Sequence, residues 1–394
     1  MSKAHSKYPD ELVLAAAMLS ARGDKQADIG RTLGISAPKA SRVLREADRR
    51  GLRDPRPSVR LRNSSLAARR GANRLIFTKQ LEPLLAAICP AGHICRVTVI
   101  DDARHNAFTH LAALAVLPNI LESVLLGVAW GLSVSLVVEG LDRLLHESPR
   151  DPDDPPVRVV PVTGDPICVT RSVHQYSAST LAELLDEILN HDGQVGLGPS
   201  LSAVLAYLPY ELASSRNGIH KLLARSAGYR EVTGDRKGSG LFQQLDSLLT
   251  GIGIASVEAG KEPGVFVQER ALCEEISHAE LARLVQGDIA GVLIPQAGLG
   301  QKDLNTVERL NRGWTGLRLD DIERCARRAN RDSKGGVVVV AQGKVKHDFV
   351  RELVRRGLVN HLVVDGELAD ALATAGTAPI RKSRAKPGAA PAAE

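Results

Sequence analysis

Cysteine is scarce in this chain of 394 residues: Cys89, Cys95, Cys168, Cys273 and Cys325 are odd in number and include no C-x-x-C pair. Neither a disulfide framework nor a zinc site is indicated, which fits a reducing cytosol. Long apolar runs are missing too. The most membrane-like stretch, Ser123–Val138, has 16 uncharged residues between Glu122 and Glu139 and contains Gly127, Gly131, Ser133 and Ser135. A span needs about 20 apolar residues, so this stretch reads as strand, loop and buried helix. The opening residues, MSKAHSKYPDELVL, are too polar for a secretory signal, so export is not expected and a cytoplasmic location is. Histidines 105, 110, 174, 191, 220, 278, 347 and 361 show no H-x-x-x-H or H-x-x-E-H spacing, and no G-x-S-x-G is present. Metal-dependent hydrolysis and a serine nucleophile elbow are therefore unsupported. The expectation is no metal, no cofactor and no catalytic residue.

What the chain does have is a 44% apolar share, enough for a buried core, and a length that suits two or three domains. Residues 24–50, DKQADIGRTLGISAPKASRVLREADRR, carry the clearest pattern. Asp24 is placed to cap a short helix with Ile29 and Leu33 on one face. Gly34 can take a left-handed turn with Ile35 plugging beneath it. Ser36 is placed as a second cap, Pro38 sits in the first turn, and Ala40, Val43, Leu44 and Ala47 form a buried stripe. Lys39, Ser41, Arg42 and Arg45 lie on the opposite face. A buried stripe backed by short polar and basic side chains, on the second helix of a tight pair, suits a helix-turn-helix that reads the major groove. Lys25, Gln26, Ser36, Lys39, Ser41, Arg42 and Arg45 are the expected DNA-binding residues. A preceding helix from about Asp10 to Ala21 would brace the pair.

Charge is segregated along the chain. Residues 1–74 hold 17 Lys and Arg against 7 Asp and Glu, a net of +10, while the whole chain carries +6, leaving −4 for residues 75–394. A basic module on a mildly acidic body is the footprint of phosphate-backbone binding, which is sequence-independent and salt-sensitive. The helix-turn-helix domain is expected over 1–56, where Asp54-Pro55-Arg56-Pro57 makes either a small wing or a loop. A basic linker follows over 57–74, studded with Arg60, Arg62, Arg69, Arg70 and Arg74.

From Leu75 apolar helix and strand patterns alternate. Cys95–Ile100, Val124–Val128, Val157–Val162, Ile289–Ile294, Val337–Val340 and His361–Val364 read as strands, Leu245–Ala255 includes a strand-like run, and Ser133–Leu145 and Thr180–Leu189 read as helices. Such runs between helices imply a mainly parallel sheet covered on both faces. The α/β domain is expected over 75–376, followed by a disordered tail over 377–394 that lacks core-forming residues. Residues 199–240 are locally basic and read best as a solvated loop.

In Leu125–Ser133 a strand meets two glycines and a hydroxyl just before a helix. Glycines let the backbone approach an anion, and a helix N-terminus offers unpaired N–H groups, although a tight turn without ligand explains the same residues. Ligands in open α/β sheets gather at the carboxyl ends of strands, where this loop belongs. Lys344 and Lys346 follow another strand at a strand-to-helix junction and can reach an anion. Asp288 and Asp365 lie at strand ends and suit either sugar hydroxyls or helix capping.

The order of these pieces resembles the SorC family of sugar-responsive bacterial transcription regulators. The resemblance runs through QADIGRTLGIS…SRVLREADRRGL, LLGVAWGLS, VVPVTGD at Val159–Asp165, GDIAGVLI at Gly287–Ile294, VVAQGKVK at Val339–Lys346 and GLVNHLVVDGELA at Gly357–Ala369. It implies an N-terminal DNA-binding domain and a C-terminal effector domain similar to sugar-phosphate isomerases and deaminases. It also implies oligomers, often tetramers, that bind operator repeats and respond to a phosphorylated sugar or related metabolite. Carried over by position, Gly127, Trp130, Gly131 and Ser133 form the phosphate loop, and Asp288, Lys346 and Asp365 flank the pocket. The chain departs from the family pattern in several places. Leu132 and Ser133 stand where Arg and Thr are usual, Pro295 where Asp is common, Gln342 replaces a glycine, and Val364 and Gly366 replace Thr and Glu. Gly30 stands where Ala is frequent, at an expected cost of roughly 0.5–1 kcal/mol in a helix interior.

The leading expectation is a DNA-binding regulator, not an enzyme, whose α/β body senses a sugar phosphate or related metabolite and alters operator binding by an oligomer. Two alternatives remain open on sequence grounds. One is an isomerase- or deaminase-like enzyme with an appended DNA-binding module, which needs a general base beside the glycine loop, where Leu125–Val138 has no Asp, Glu or His. The other is an architectural or plasmid DNA binder without effector control.

Overall fold

The computed structural model describes residues 8–21, 24–52, 81–100, 105–147, 150, 153–166, 176–190, 206–209, 223, 225, 227–234, 240–255, 262–332 and 335–376. The segment around Asp54–Pro57, the connector 57–74, the tail 377–394 and most of 199–240 lie outside them.

Three helices come first: α1 (Asp10–Ala21), α2 (Gln26–Thr32) and α3 (Ala37–Arg49). α1 packs against α3 and α2 and buries Val13 to Leu19 without interruption. α3 contributes the expected stripe Ala40, Val43, Leu44 and Ala47, and each fully buried Val, Leu or Ile in this cluster is worth about 1.5–3 kcal/mol. Gly34 takes φ +63° in the turn. The expected caps differ in detail. Lys25, not Asp24, holds the N-cap position of α2 and makes no side-chain capping bond. Ser36 is the N-cap of α3, but its hydroxyl makes no capping bond either. Pro38 at the second position has no N–H to give, which removes one of the two donors an N-cap side chain serves.

Gly30 also corrects the sequence reading. A Cβ there would stand 2.7 Å from the Ile35 carbonyl oxygen, whose residue's own N–H bonds back to the Gly30 carbonyl at 2.8 Å. The glycine is what lets the turn fold back onto α2, so it is a requirement of the helix pair and not a helix-propensity cost.

The body is a doubly wound α/β fold. Its six-stranded parallel sheet has the order β1-β9-β8-β4-β2-β3, from β1 (Arg96–Ile100), β2 (Leu125–Val128), β3 (Arg158–Pro161), β4 (Ser247–Thr250), β8 (Gly336–Ala341) and β9 (His361–Asp365). β-branched runs such as VVVV at 337–340 are buried on both faces, as a covered parallel sheet requires. Val338, Val340 and Val363 point to one face, against α5 (His105–Leu121), α6 (Leu132–Glu147) and α7 (Ala178–Leu189). Val337, Val339, Leu362 and Val364 point to the other. That face is covered by α4 (Leu81–Ala86), α8 (Ala227–Thr233), α12 (Leu319–Asp332), α13 (His347–Arg355) and α14 (Gly366–Gly376).

A second sheet was not foreseen. β5 (Ile252–Ile254), β6 (Val285–Ile289) and β7 (Val292–Pro295) pair antiparallel in the order β5-β6-β7, packed with α9 (Val265–Cys273), α10 (His278–Leu284) and α11 (Gln301–Arg312). The single strand expected over Ile289–Ile294 is a hairpin. Ala290 and Gly291 both take positive φ, +48° and +80°, the signature of a tight primed turn that an unbroken apolar run conceals.

Candidate functional site

On the helix pair, Lys25, Gln26, Ser36, Arg42 and Arg45 are exposed and Lys39 and Ser41 half-buried. The cations sort into two groups. Arg49 and Arg50 hydrogen-bond Glu46 at 2.6 and 2.8 Å, and Arg50 also reaches Asp10 at 2.6 Å, tying the end of α3 to the start of α1. These arginines hold the Glu46 carboxyl down to about 2. Lys39, Arg42 and Arg45 make no ion pair among the described residues; Arg42 touches only the Pro38 carbonyl of its own helix at 3.3 Å. The second helix of the pair thus presents three uncompensated cations on the face opposite its buried stripe.

In the body, the strand order fixes where a ligand can sit. After β2 the chain proceeds outward to β3, and after β4 it proceeds the other way to β8 and β9, so β2 and β4 flank a topological switch point. Crevices at the carboxyl ends of such strands are the usual ligand sites of open α/β sheets. Gly131, at φ +144°, and Ser133 lead from β2 into α6. A Cβ at Gly251, just past β4, would lie 3.8 Å from both Ser133 Cβ and the Val340 carbonyl oxygen of β8. The ends of β2, β4 and β8 therefore converge.

Lys346 enters from the short 3-10 turn Lys344–Lys346 after β8, between Asp288 of β6 and Asp365 of β9. Burial pushes its ammonium pKa down while Asp288 and Asp365 oppose the shift. Burial pushes the Asp288 carboxyl up to about 6, against the pull of Arg270, the Gly291 N–H and Lys346. Its Oδ2 accepts from Gly291 N at 3.1 Å, so it also secures the β6–β7 turn. Asp365 accepts from Gly343 N and Leu368 N, both at 2.9 Å, which ties the loop after β8 to the first turn of α14. The structure thus brings Ser133, Lys346, Asp288 and Asp365 to one end of the sheet. Gly127 stands apart inside β2, paired with Val160 and Leu248, where a Cβ would meet Val162 and Leu245 side chains at 2.8 and 3.0 Å. It serves packing.

Beneath this end lies an aromatic chain. Trp130 meets Tyr176 and Phe266 edge-on at 6.1 and 5.5 Å, and Phe266 meets Trp314 at 4.8 Å. Arg270, wholly buried, lies over the Trp314 and Tyr207 rings at 4.5 and 5.1 Å, gives Nη1 to the Phe266 carbonyl at 2.9 Å and bonds the Gly291 carbonyl through Nη2. Asp288 and Arg270 therefore grip the two backbone groups of Gly291. The sequence pointed to none of Arg270, Tyr207 or Phe266.

Three buried polar atoms here have no protein partner: Trp130 Nε1, Thr163 Oγ1 and Arg270 Nε. Thr163 follows β3 in the VTGD segment and was not foreseen as a site residue. A donor and a hydroxyl left open at the ends of β2 and β3 suit a polyhydroxylated ligand, because buried polar groups are costly unless hydrogen-bonded. By contrast, Leu132, which departs from the Arg usual in the resembled family, projects into solvent. A groove of about 990 Å³ lies on the outer side between α6 and α7, lined by Leu132, Leu136, Tyr176, Leu184 and Ile188; Asp288, Lys346 and Asp365 do not line it.

Among the described residues no helix is long and apolar enough to cross a membrane, and no cluster of three metal-ligating side chains occurs. No protein-family model and no curated protein matches the chain. Solved structures do. The full-length sorbitol operon regulator SorC from Klebsiella pneumoniae superposes with a TM-score of 0.52 at 20% identity, over 92% of this chain and 98% of that one. A DeoR family transcriptional regulator from Listeria monocytogenes gives 0.47 at 16% identity, over 71% and 92%. A transcriptional regulator from Streptococcus pneumoniae TIGR4 gives 0.48 at 17% identity, over 75% and 96%. Over 92% of its length the chain shares the fold of the full-length SorC regulator.

Proposed function

We propose that this chain is a DNA-binding transcriptional regulator of the SorC type. In this reading residues 1–56 contact the operator, 57–74 connect, and 75–376 bind a sugar-class effector and form the oligomer. The observation that carries it is the sorting of charge on α3. Lys39, Arg42 and Arg45 have no carboxylate to neutralise them among the described residues, whereas Arg49 and Arg50 are engaged within the domain. Unpaired cations on the second helix of a tight pair serve phosphates and base edges, with Ser36, Ser41, Lys25 and Gln26 around them.

The effector reading rests on the switch-point crevice, with Lys346, Asp288, Asp365, Ser133 and the open Trp130 Nε1 and Thr163 Oγ1. The described cation there, Lys346, faces two carboxylates, so sugars and sugar phosphates both belong in a ligand screen. A ligand alters DNA binding only if it favours one arrangement of the paired recognition helices over another. The enzyme reading gains no support from these groups, because Asp365 and Asp288 hold loop backbone rather than standing poised as a general base.

The test is a fluorescence anisotropy titration of the full chain on DNA flanking its gene, against unrelated DNA. The expected result is tighter binding to the flanking DNA, lost on combining Arg42→Ala with Arg45→Ala. Equal affinity for both DNAs, unchanged by the double substitution, would overturn the proposal.

A further inference from the structure

One loop outside both sites carries chemistry that neither uses. The turn after α4 runs from Cys89 through Pro90, Ala91, Gly92, His93 and Ile94 to Cys95, immediately before β1. It is closed by short-range bonds: Cys89 N bonds the Leu85 carbonyl at 3.0 Å and His93 N the Pro90 carbonyl at 3.0 Å. It is also fixed to the body, since His93 Nε2 bonds the Val359 carbonyl at 2.7 Å and Arg96 N bonds the Asn360 carbonyl at 2.9 Å. This folding brings the two thiols within hydrogen-bonding reach of each other. Both cysteines are half-buried at the margin of the core, so solvent reaches them, whereas Cys325 is buried.

We propose that Cys89 and Cys95 form a redox-active dithiol that a hydroperoxide converts to an intramolecular disulfide. The hydrogen bond from Cys95 lowers the Cys89 pKa, which makes Cys89 the attacking thiolate. Its sulfur bonds to one peroxide oxygen, the O–O bond breaks, and the departing hydroxide takes up the proton that Cys89 released, giving a sulfenic acid and one water. The Cys95 sulfur then attacks the Cys89 sulfur, the S–O bond breaks, and hydroxide leaves with the Cys95 proton as a second water. Two thiols and hydrogen peroxide thus yield one disulfide and two waters. Both sulfurs are oxidised and both peroxide oxygens reduced. Exchange with a dithiol reductant restores the thiols. The bond would clamp the end of α4 to the start of β1. This inference stands independently of the proposed function.

The test uses the full chain treated with a stoichiometric pulse of hydrogen peroxide, alkylated with N-ethylmaleimide and digested with trypsin. Cleavage after Lys79 and Arg96 places both cysteines in one peptide, residues 80–96. The expected product is that peptide lighter by two hydrogen atoms and carrying no maleimide, returning to two maleimides after dithiothreitol, while the Cys325 peptide stays alkylatable after denaturation. In Cys95→Ser the Cys89 sulfenic acid should persist and react with dimedone. Titrating the unsubstituted protein in glutathione buffers reads the same disulfide without any variant. A peptide that keeps both maleimides after peroxide and in oxidising glutathione, or that advances to sulfinic acid without the two-hydrogen loss, would overturn the proposal.

Discussion

Arginine does opposite work in the two halves of this molecule. Arg42 and Arg45 of α3 stand in solvent without a carboxylate, while Arg270 of the body is wholly buried between the Tyr207 and Trp314 rings and spends two donors on backbone carbonyls. A charge held inside on backbone carbonyls organises the fold. A charge left outside without a carboxylate is available to a partner. The same contrast separates Glu46, consumed by Arg49 and Arg50, from Asp288, which is buried where Lys346 and the switch-point crevice meet.

Arg270→Ala should break the inner half of this contrast most severely. It leaves the Phe266 and Gly291 carbonyls unpaired, Asp288 without its cation and a gap between two rings, for a loss of about 3–5 kcal/mol. Chemical denaturation reads it, and an unchanged midpoint would show that Arg270 does not organise the β6–β7 turn.

Combining Arg42→Ala with Arg45→Ala should leave that midpoint unchanged while weakening DNA binding on the order of 100-fold. The slope of log affinity against log salt should flatten by roughly 2 if both arginines contact phosphates. A destabilised double variant would mean that these side chains belong to the fold after all.

The pH dependence sharpens the comparison on the carboxylate side. Asp288 is raised from an ordinary 3.8 to about 6, so the folded protein binds its proton more tightly than the unfolded chain does. Its stabilising contribution is complete below about 3.8 and is lost as pH rises through 6, a change of about 1–3 kcal/mol. Melting temperatures of the natural protein and Asp288→Asn should diverge between about pH 4 and 6, the natural protein losing ground as pH rises. His361 acts with the opposite slope. Buried and pushed down to about 3, it takes up a proton only on unfolding, so stability falls as pH drops below about 6.5.

Gly30→Ala gives the smallest effect. Helix propensity favours alanine, but the 2.7 Å approach to the Ile35 carbonyl requires backbone to move, so the helix pair should lose about 1–2 kcal/mol. Stabilisation would contradict the close-approach account.

Local pattern made some of this legible. The bounds of α1, the turn at Gly34, the stripe of α3 and strands β8 and β9 follow from spacing and from β-branched runs, because each is decided by nearby residues. The end of β2 leading into α6 was equally readable. The aromatic chain was not: Arg270 sits in VFVQERALC, which resembles any amphipathic helix, and what buries it arrives from Tyr207, Gly291 and Trp314. The hairpin at Ala290–Gly291 hid in an apolar run because alanine rarely takes φ +48°. Asp365 was placed correctly at a strand end, but only the fold shows it bonding both Gly343 and Leu368. Thr163 became a candidate through the lack of a partner for its buried hydroxyl, which no sequence motif reports.

The central proposal, that a ligand in the switch-point crevice alters DNA binding by the N-terminal helices, is tested most directly by one coupled titration. A sugar or sugar phosphate that raises the melting temperature of the full chain is added at saturation to the anisotropy assay on flanking DNA. The account predicts a changed DNA affinity, a reciprocal change of equal factor in ligand affinity when DNA is present, and loss of both in Lys346→Met with basal DNA binding retained. The same DNA affinity with and without saturating ligand would contradict it.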